Sequence, residues 1–228
     1  LLNNKIKIVC ISNWLATKPK KSKILKNFDI RVINCSLDTE LWKPINKKEA
    51  KKMLGINTNK KLLLFGATGG TSDPRKGFKY LANALNTINL KKEKFELLVF
   101  GEQENFNLKI PNRKIIFKPG SFYGNDTALR VLYSAADLVI APSTLEAFGQ
   151  VGSEAGSCET PTVAFKNTGF EDVIVHKKTG YLANYKNHKD LAKGIIWTLK
   201  NLNKSNLGKN ARKHVIKNFS YNVTSGKY

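Results

Sequence analysis

The chain is poor in the residues that staple a fold covalently or through a metal. It has three cysteines in 228 residues. Cys10, Cys35 and Cys158 are unclustered and odd in number, so neither a disulfide framework nor a thiolate metal site is indicated. No apolar run approaches the roughly 20 residues that a membrane-spanning helix needs. The chain opens Leu1-Leu2-Asn3, with no initiator methionine and no signal sequence, which reads as a piece of a longer, cytoplasmic protein. Hydrophobic content of 41% and aromatic content of 10% are ordinary for a globular chain long enough to bury a core.

Acidic residues are scarce as well, 17 against 39 basic ones, for a net charge of +22. Such a field attracts phosphates, anionic lipid heads and nucleic acid alike. Arginine, however, is confined to Arg31, Arg75, Arg113, Arg130 and Arg212. Base readout favours its planar fork, which the lysine ammonium lacks, and this shortage argues against nucleic acid as a partner. The lysines are scattered through every expected helix. They read either as solvated charge without a partner or as a basic face toward an anionic membrane.

Continuous apolar stretches alternate with amphipathic ones. Strands are expected over residues 5–11, 31–35, 61–66, 95–101, 114–117, 137–141 and 161–165. Helices are expected from a cap at Asn46 through Leu54, then over about 76–87, 126–135, 149–158, 188–202 and 206–218. The first two strands are joined by a lysine-rich connector. This alternation predicts a parallel sheet with helices on both faces, and ligands in such sheets bind outside the carboxyl ends of the strands.

Two loops at that edge carry the chemistry. Gly66-Ala67-Thr68-Gly69-Gly70-Thr71-Ser72-Asp73-Pro74-Arg75-Lys76-Gly77 follows a strand. Its glycines, Gly69 and Gly70 among them, allow close backbone approach to an anion, and Lys76 adds a point charge. The Walker A order is absent. Downstream, Leu138-Val139-Ile140-Ala141 runs into Pro142-Ser143-Thr144-Leu145-Glu146-Ala147-Phe148-Gly149-Gln150, and Glu154 lies eight residues after Glu146. A helix opening at Gly149 exposes unpaired N–H groups that suit a phosphate. Carboxylates would repel that anion, so they read as acceptors for sugar hydroxyls. Anion donors beside hydroxyl acceptors describe a nucleotide-sugar site.

The same residues carry a family resemblance. The glutamate pair, the run Tyr133-Ser134-Ala135-Ala136-Asp137-Leu138-Val139-Ile140-Ala141-Pro142-Ser143, the segment Thr160 to Phe165, the positions Gly169, Asp172, Ile174 and Gly180, and Asp73-Pro74-Arg75-Lys76-Gly77-Phe78 together resemble the retaining family 4 glycosyltransferases of GT-B architecture. The likeness covers about residues 30–200. It implies one Rossmann-like half of a GT-B enzyme of hexosyltransferase type, acting in glycan, lipopolysaccharide or capsule biosynthesis. Its donor would be a UDP-sugar or GDP-sugar, with no further cofactor and no metal. Lys76 would grip the diphosphate, helped by Arg75. Glu146 would meet donor-sugar hydroxyls and Glu154 the ribose hydroxyls, with Phe148, Gly149 and Gln150 lining the helix start. Family members commonly carry an arginine where this chain has Ala67, a departure that Arg75 or the backbone of Thr68 to Gly70 would have to offset. Lys118-Pro119-Gly120 would face the base.

Residues 38–44 resemble the linker between GT-B domains, and Ser12 and Trp14 resemble the end of the acceptor domain. The expected division is therefore a tail of the acceptor domain with the linker (1–45), a nucleotide-sugar-binding domain (46–205) and a C-terminal helix and tail (206–228). The missing N-terminal acceptor-binding domain becomes an expected partner, at the inner face of a membrane if the basic charge is membrane-directed. A non-catalytic nucleotide or polyanion-binding module is the rival reading, although two acids at the site serve such a binder poorly. A non-hydrolysing epimerase would need acid/base groups near the sugar, and no histidine lies in a site loop.

Overall fold

The computed structural model describes residues 6–66, 71–88, 95–101, 115–118, 122 and 124–227. In chain order the elements are β1 (Lys7–Cys10), α1 (Asn13–Lys21), β2 (Asp29–Val32), α2 (Lys47–Met53), β3 (Lys61–Gly66), α3 (Phe78–Thr87), β4 (Phe95–Phe100), β5 (Ile115–Lys118), α4 (Asp126–Ala135), β6 (Leu138–Ala141), α5 (Gln150–Ser157), β7 (Thr162–Phe165), α6 (Phe170–Val173), β8 (Gly180–Ala183), α7 (His188–Asn201), α8 (Leu207–Phe219) and α9 (Tyr221–Ser225).

Six strands form one sheet in the order β5-β4-β3-β6-β7-β8, and every pairing in it is parallel. Alternate strand residues feed two cores. Leu62, Leu64, Leu98 and Val139 pack with Ala50, Leu132, Ala155 and Val215 from α2, α4, α5 and α8. Leu63, Phe65, Leu97 and Ile140 pack with Leu81 and Leu85 of α3 and Leu191 and Ile195 of α7. The sheet is thus covered on both faces, which is why its strands read as unbroken apolar runs. β1 and β2 form a separate two-stranded parallel sheet.

The sequence reading misses α1, β8 and the short α6 and α9. Pro19 and the lysines disguise α1, yet Ser12 starts it by accepting the Leu15 N–H at 3.0 Å. β8 is four residues long and is defined by pairing to β7, a tertiary signal. The helix expected from residue 76 begins as a 3-10 turn over Pro74–Lys76, and α3 starts only after Gly77, whose φ is 72°.

The segment from Leu37 to Trp42 is held by α8. Leu37 N–H donates to Phe219 O at 2.7 Å. Arg212 donates to Ser157 O at 2.7 Å, to Thr39 O at 3.2 Å and to Trp42 O at 3.3 Å. Residues 206–219 therefore belong to the same core as α5.

Asp137, buried at the amino end of β6, ties α2 to the sheet. It accepts from Leu62 N–H at 2.8 Å and from Lys47 Nζ at 3.0 Å, with Lys61 Nζ at 3.4 Å. Burial pushes its carboxyl up, but Lys47, the Leu62 N–H and Lys61 together outweigh burial and hold its pKa below the ordinary 3.8. Its stabilisation is therefore present above that ordinary value and is lost as pH falls through the lower folded value. Asp137→Ala should cost about 1–3 kcal/mol in urea unfolding at neutral pH. The gap from the parent chain should narrow in acid; a gap independent of pH contradicts this role.

Candidate functional site

β3 and β6 lie side by side where the strand order reverses, the position at which open parallel sheets bind ligands. The chain after β3 passes tightly under the chain after β6. A Cβ on Gly77 would lie 1.9 Å from Pro142 O, so only glycine, in its left-handed conformation, permits the crossing. Thr144 N–H donates to Arg75 O at 2.7 Å, and Tyr185 Oη donates to Thr144 O at 2.9 Å. These contacts bring Lys76 Nζ to 3.7 Å from Glu146 Oε2, with side-chain exposures of 29% and 21%. That separation is an ion pair but too long for a hydrogen bond. An ammonium has three donors and a carboxylate about four acceptor positions, so both groups keep capacity for a ligand.

Gly149, with φ of 98°, opens α5 without a side-chain cap. A Cβ there would meet the Phe170 ring at 2.5 Å. Gly152 and Ser153 make the first bonds back to Gly149 O, at 2.8 and 3.3 Å. The earlier N–H groups of Gln150 and Val151 precede that ladder, at the positive end of the helix beside the Glu146 loop. The loop is anchored from outside by Gly169 N–H, which donates to Glu146 O at 2.8 Å, and by Ser12 Oγ, which donates to Ala147 O.

Glu154 lies one turn after Gln150 on α5. Tyr133 Oη donates to its Oε2 at 2.9 Å, and the Gln150 side chain bonds it as well. Burial dominates its chemistry, pushing its pKa up to about 7 in spite of both hydrogen bonds, with Asp126 adding repulsion. Tyr133 is buried, against Trp42 at a ring distance of 5.8 Å, so the hydroxyl that orients Glu154 is fixed.

The structure thus brings together Lys76, Glu146 and the Gly149–Gln150 helix start, with Glu154 farther along the same helix. Two expected side chains are placed otherwise. Phe148 is in the core, edge-on to Phe219 at 5.3 Å, so its ring is not offered to a ligand. Arg75 closes its fork on Asp73, with contacts of 2.9 to 3.2 Å, and is 69% exposed; its carbonyl is what serves the site. Ala67, Thr68, Gly69, Gly70, Pro119 and Gly120 lie outside the described residues. Ser12 is fully buried, and Trp14 carries the Lys18 ammonium 4.3 Å from its ring centroid. Among the described residues no group of histidines, cysteines and acids could hold a metal ion.

Three organising residues escaped sequence reasoning. Tyr133 and Asp172 stand in runs noted for resemblance, without a role. Asp172 Oδ2 accepts from Asn13 N–H at 2.9 Å and from the Asn13 and Asn34 amides at 3.0 Å each, clasping the first segment to the domain. Tyr185 gives no local signal, since its partner Thr144 is 41 residues away.

Comparison with known proteins bears on the family and the fold. The family model for glycosyl transferases group 1 matches residues 46–214. An uncharacterized glycosyltransferase of Methanocaldococcus jannaschii is 29% identical over 180 residues, 75% of this chain and 44% of that protein. The N-acetyl-alpha-D-glucosaminyl L-malate synthase of Bacillus anthracis is 27% identical over 206 residues, 85% of this chain and 50% of that protein. The chain spans about half the length of the curated relatives it matches. A glycosyltransferase structure from Rickettsia africae superposes with a TM-score of 0.83 at 22% identity, covering 100% of this chain and 62% of that one. Anabaena HepE, solved in complex with UDP-glucose, gives 0.74 at 21% identity, covering 96% and 61%. The fold is therefore the Rossmann-like half of the GT-B architecture.

The Glu154 environment sets a pH dependence. Its folded pKa of about 7 lies above the ordinary 4.5, so the folded state holds the proton more tightly. The contribution is complete below the ordinary value and is lost as pH rises through about 7. In thermal unfolding, Glu154→Gln should therefore gain several degrees on the parent chain between pH 5 and pH 8. Parallel profiles over that range would show that Glu154 is not held protonated.

Proposed function

The chain belongs to the glycosyl transferases group 1 family, and we propose that it is the donor-binding half of a retaining family 4 enzyme. That enzyme passes a sugar from a nucleoside diphosphate to an acceptor hydroxyl. The observation that carries this reading is the meeting of Lys76 and Glu146 at 3.7 Å, one after each of the two strands that flank the reversal in strand order.

A ligand that satisfies both must be anionic at one point and rich in hydroxyls at the next. In the proposed complex the Lys76 ammonium and the N–H groups of Gln150 and Val151 hold the diphosphate. They are in place before charge develops on the leaving group, so no reorganisation is needed as the glycosidic bond breaks. This neutralisation requires no metal ion. Glu146 accepts hydroxyls of the donor sugar, and its charge is tolerable next to phosphate because Lys76 lies between them in the electrostatic balance. Glu154, oriented by Tyr133, accepts ribose hydroxyls. The UDP-glucose complex of a structural neighbour makes a uridine donor the first to test. Retention at the anomeric carbon rests on the family 4 resemblance.

The acceptor face belongs to the other half of the enzyme, of which β1, α1 and β2 are the adjoining piece. The basic balance of the chain favours an acceptor carried on an anionic membrane, in the biosynthesis of a glycan, lipopolysaccharide or capsule.

Lys76→Ala should weaken UDP or GDP by about 1.5–3 kcal/mol in calorimetry, the range for a hydrogen bond to a charged group, and leave the bare nucleoside almost unaffected. Equal losses for nucleotide and nucleoside would remove Lys76 from the phosphate site. Glu154→Ala should weaken the nucleotide itself, by roughly 1–3 kcal/mol for unpaired ribose hydroxyls. Glu146→Ala should matter only once a sugar is attached. Identical behaviour of the two variants toward UDP and UDP-sugar would refute this division. The isolated chain should bind donor and transfer no sugar; robust transfer by it alone contradicts the two-domain reading.

A further inference from the structure

The amino edge of the sheet, opposite the donor site, holds a cleft of about 670 Å³, within the roughly 300–1,000 Å³ typical of small-molecule sites. Lys61 and Asp137 line it at the starts of β3 and β6, with Lys47 from the start of α2. Glu159 comes from the turn before β7, and Asn203, Asn206 and Lys209 come from the passage between α7 and α8. Except for Pro44 and Ile45, the lining residues all lie within the family match at 46–214. The β1–β2 segment is bonded at the other, carboxyl side, through Ser12 and Asp172, and none of its residues lines the cleft.

Two ammonium groups here share one carboxylate. Lys47 Nζ is 3.0 Å and Lys61 Nζ 3.4 Å from the same Asp137 Oδ1, while Asp137 Oδ2 accepts from Leu62 N–H at 2.8 Å. Lys47 gives a second donor to Ala136 O at 2.7 Å. An ammonium has three donors, which leaves one on Lys47 and two on Lys61. Burial pushes the Lys47 pKa down, Asp137 raises it and Lys61 lowers it again, so the two ammonium groups repel each other. Over the whole cleft three lysines stand against two acids, Asp137 and Glu159. The buried floor is polar and satisfied by the fold itself. Ser134 Oγ accepts from Ile45 N–H at 3.1 Å, and Thr160 Oγ1 donates to Tyr133 O at 2.8 Å.

An anion between Lys47 and Lys61 offsets their repulsion. A bare anion, however, gains nothing from Glu159 or from the exposed amides of Asn203 and Asn206, the latter of which starts α8 without a side-chain cap. Hydroxyl groups give both kinds of side chain a partner. We propose that the cleft binds a sugar phosphate, its phosphate between Lys47 and Lys61, with Lys209 adding positive charge, and its hydroxyls on Asn203, Asn206 and Glu159. The four residues of β6 separate it from the donor site by about 13 Å. The proposal does not rest on the donor reading, because it uses none of the donor-site residues.

Calorimetry of the full chain with glucose 6-phosphate, inorganic phosphate and glucose tests this assignment. Glucose 6-phosphate should bind most tightly, less so as salt rises, and glucose should show no binding at millimolar concentration. Lys61→Gln leaves Asp137 its bonds from Lys47 and Leu62 and should weaken glucose 6-phosphate at least about tenfold. Lys209→Gln, at an exposed position outside the Asp137 cluster, gives a second reading in the same direction should Lys61→Gln fold poorly in thermal unfolding. Asn203→Ala should narrow the preference over inorganic phosphate. Excess UDP should not displace the sugar phosphate. Absence of binding overturns the proposal, as does equal affinity for inorganic phosphate. Indifference to both lysine variants, or displacement by UDP, also overturns it and places the ligand elsewhere. UDP titrated alone reports on the donor site separately, so the two readings fail independently.

Discussion

The site depends on how closely two segments of chain pass each other at the carboxyl ends of β3 and β6. Gly77 is the point of contact. Its left-handed φ and missing side chain let the turn carrying Lys76 lie directly against Pro142 O. The Thr144 to Arg75 hydrogen bond then fixes the register between the two loops. A Cβ at that crossing would lie 1.9 Å from Pro142 O, so the two loops would have to move apart. The ion pair is thus a result of backbone packing, and the backbone is rigid because both strands are central in a sheet buried on both faces.

Two carboxylates follow β6, and their surroundings give them different characters. Glu146 is partly exposed in a loop with a cation beside it. Glu154 sits on a helix, bonded to a buried tyrosine and raised by burial to about 7. Environment, not residue type, separates pairs of this kind. A group poised near neutrality responds to what is bound next to it. Hydrogen bonds donated to a carboxylate favour its charged form, as that from Tyr133 does here against the larger effect of burial.

The parts outside the sheet are tied to the same loop system. Ser12 reaches Ala147, Asp172 clasps Asn13 and Asn34, and Arg212 joins α8 to Thr39 and Trp42 and to α5. The first segment, β1 to β2, is therefore tied to the Glu146 loop through short hydrogen-bonded steps. The lysine-rich turn beyond α1 lies at the far end of that chain of contacts.

Local sequence determined the central sheet, because strands buried on both faces are written as continuous apolar runs and the helices between them as amphipathic periods. It also determined which loops follow which strands, and so which residues stand at one edge: Lys76, Glu146, Gly149 and Gln150. What it could not show is contact across the chain. α1 was hidden by lysines and Pro19, β8 exists through its pairing with β7, and Tyr133 and Tyr185 act on residues 21 and 41 positions away. Phe148 and Arg75 occupy motif positions, yet the core claims one ring and Asp73 the other side chain. Only the tertiary structure decided these points, because burial and hydrogen-bond partners depend on which segments the fold brings together, whereas sequence periodicity records only which face of an element is turned inward.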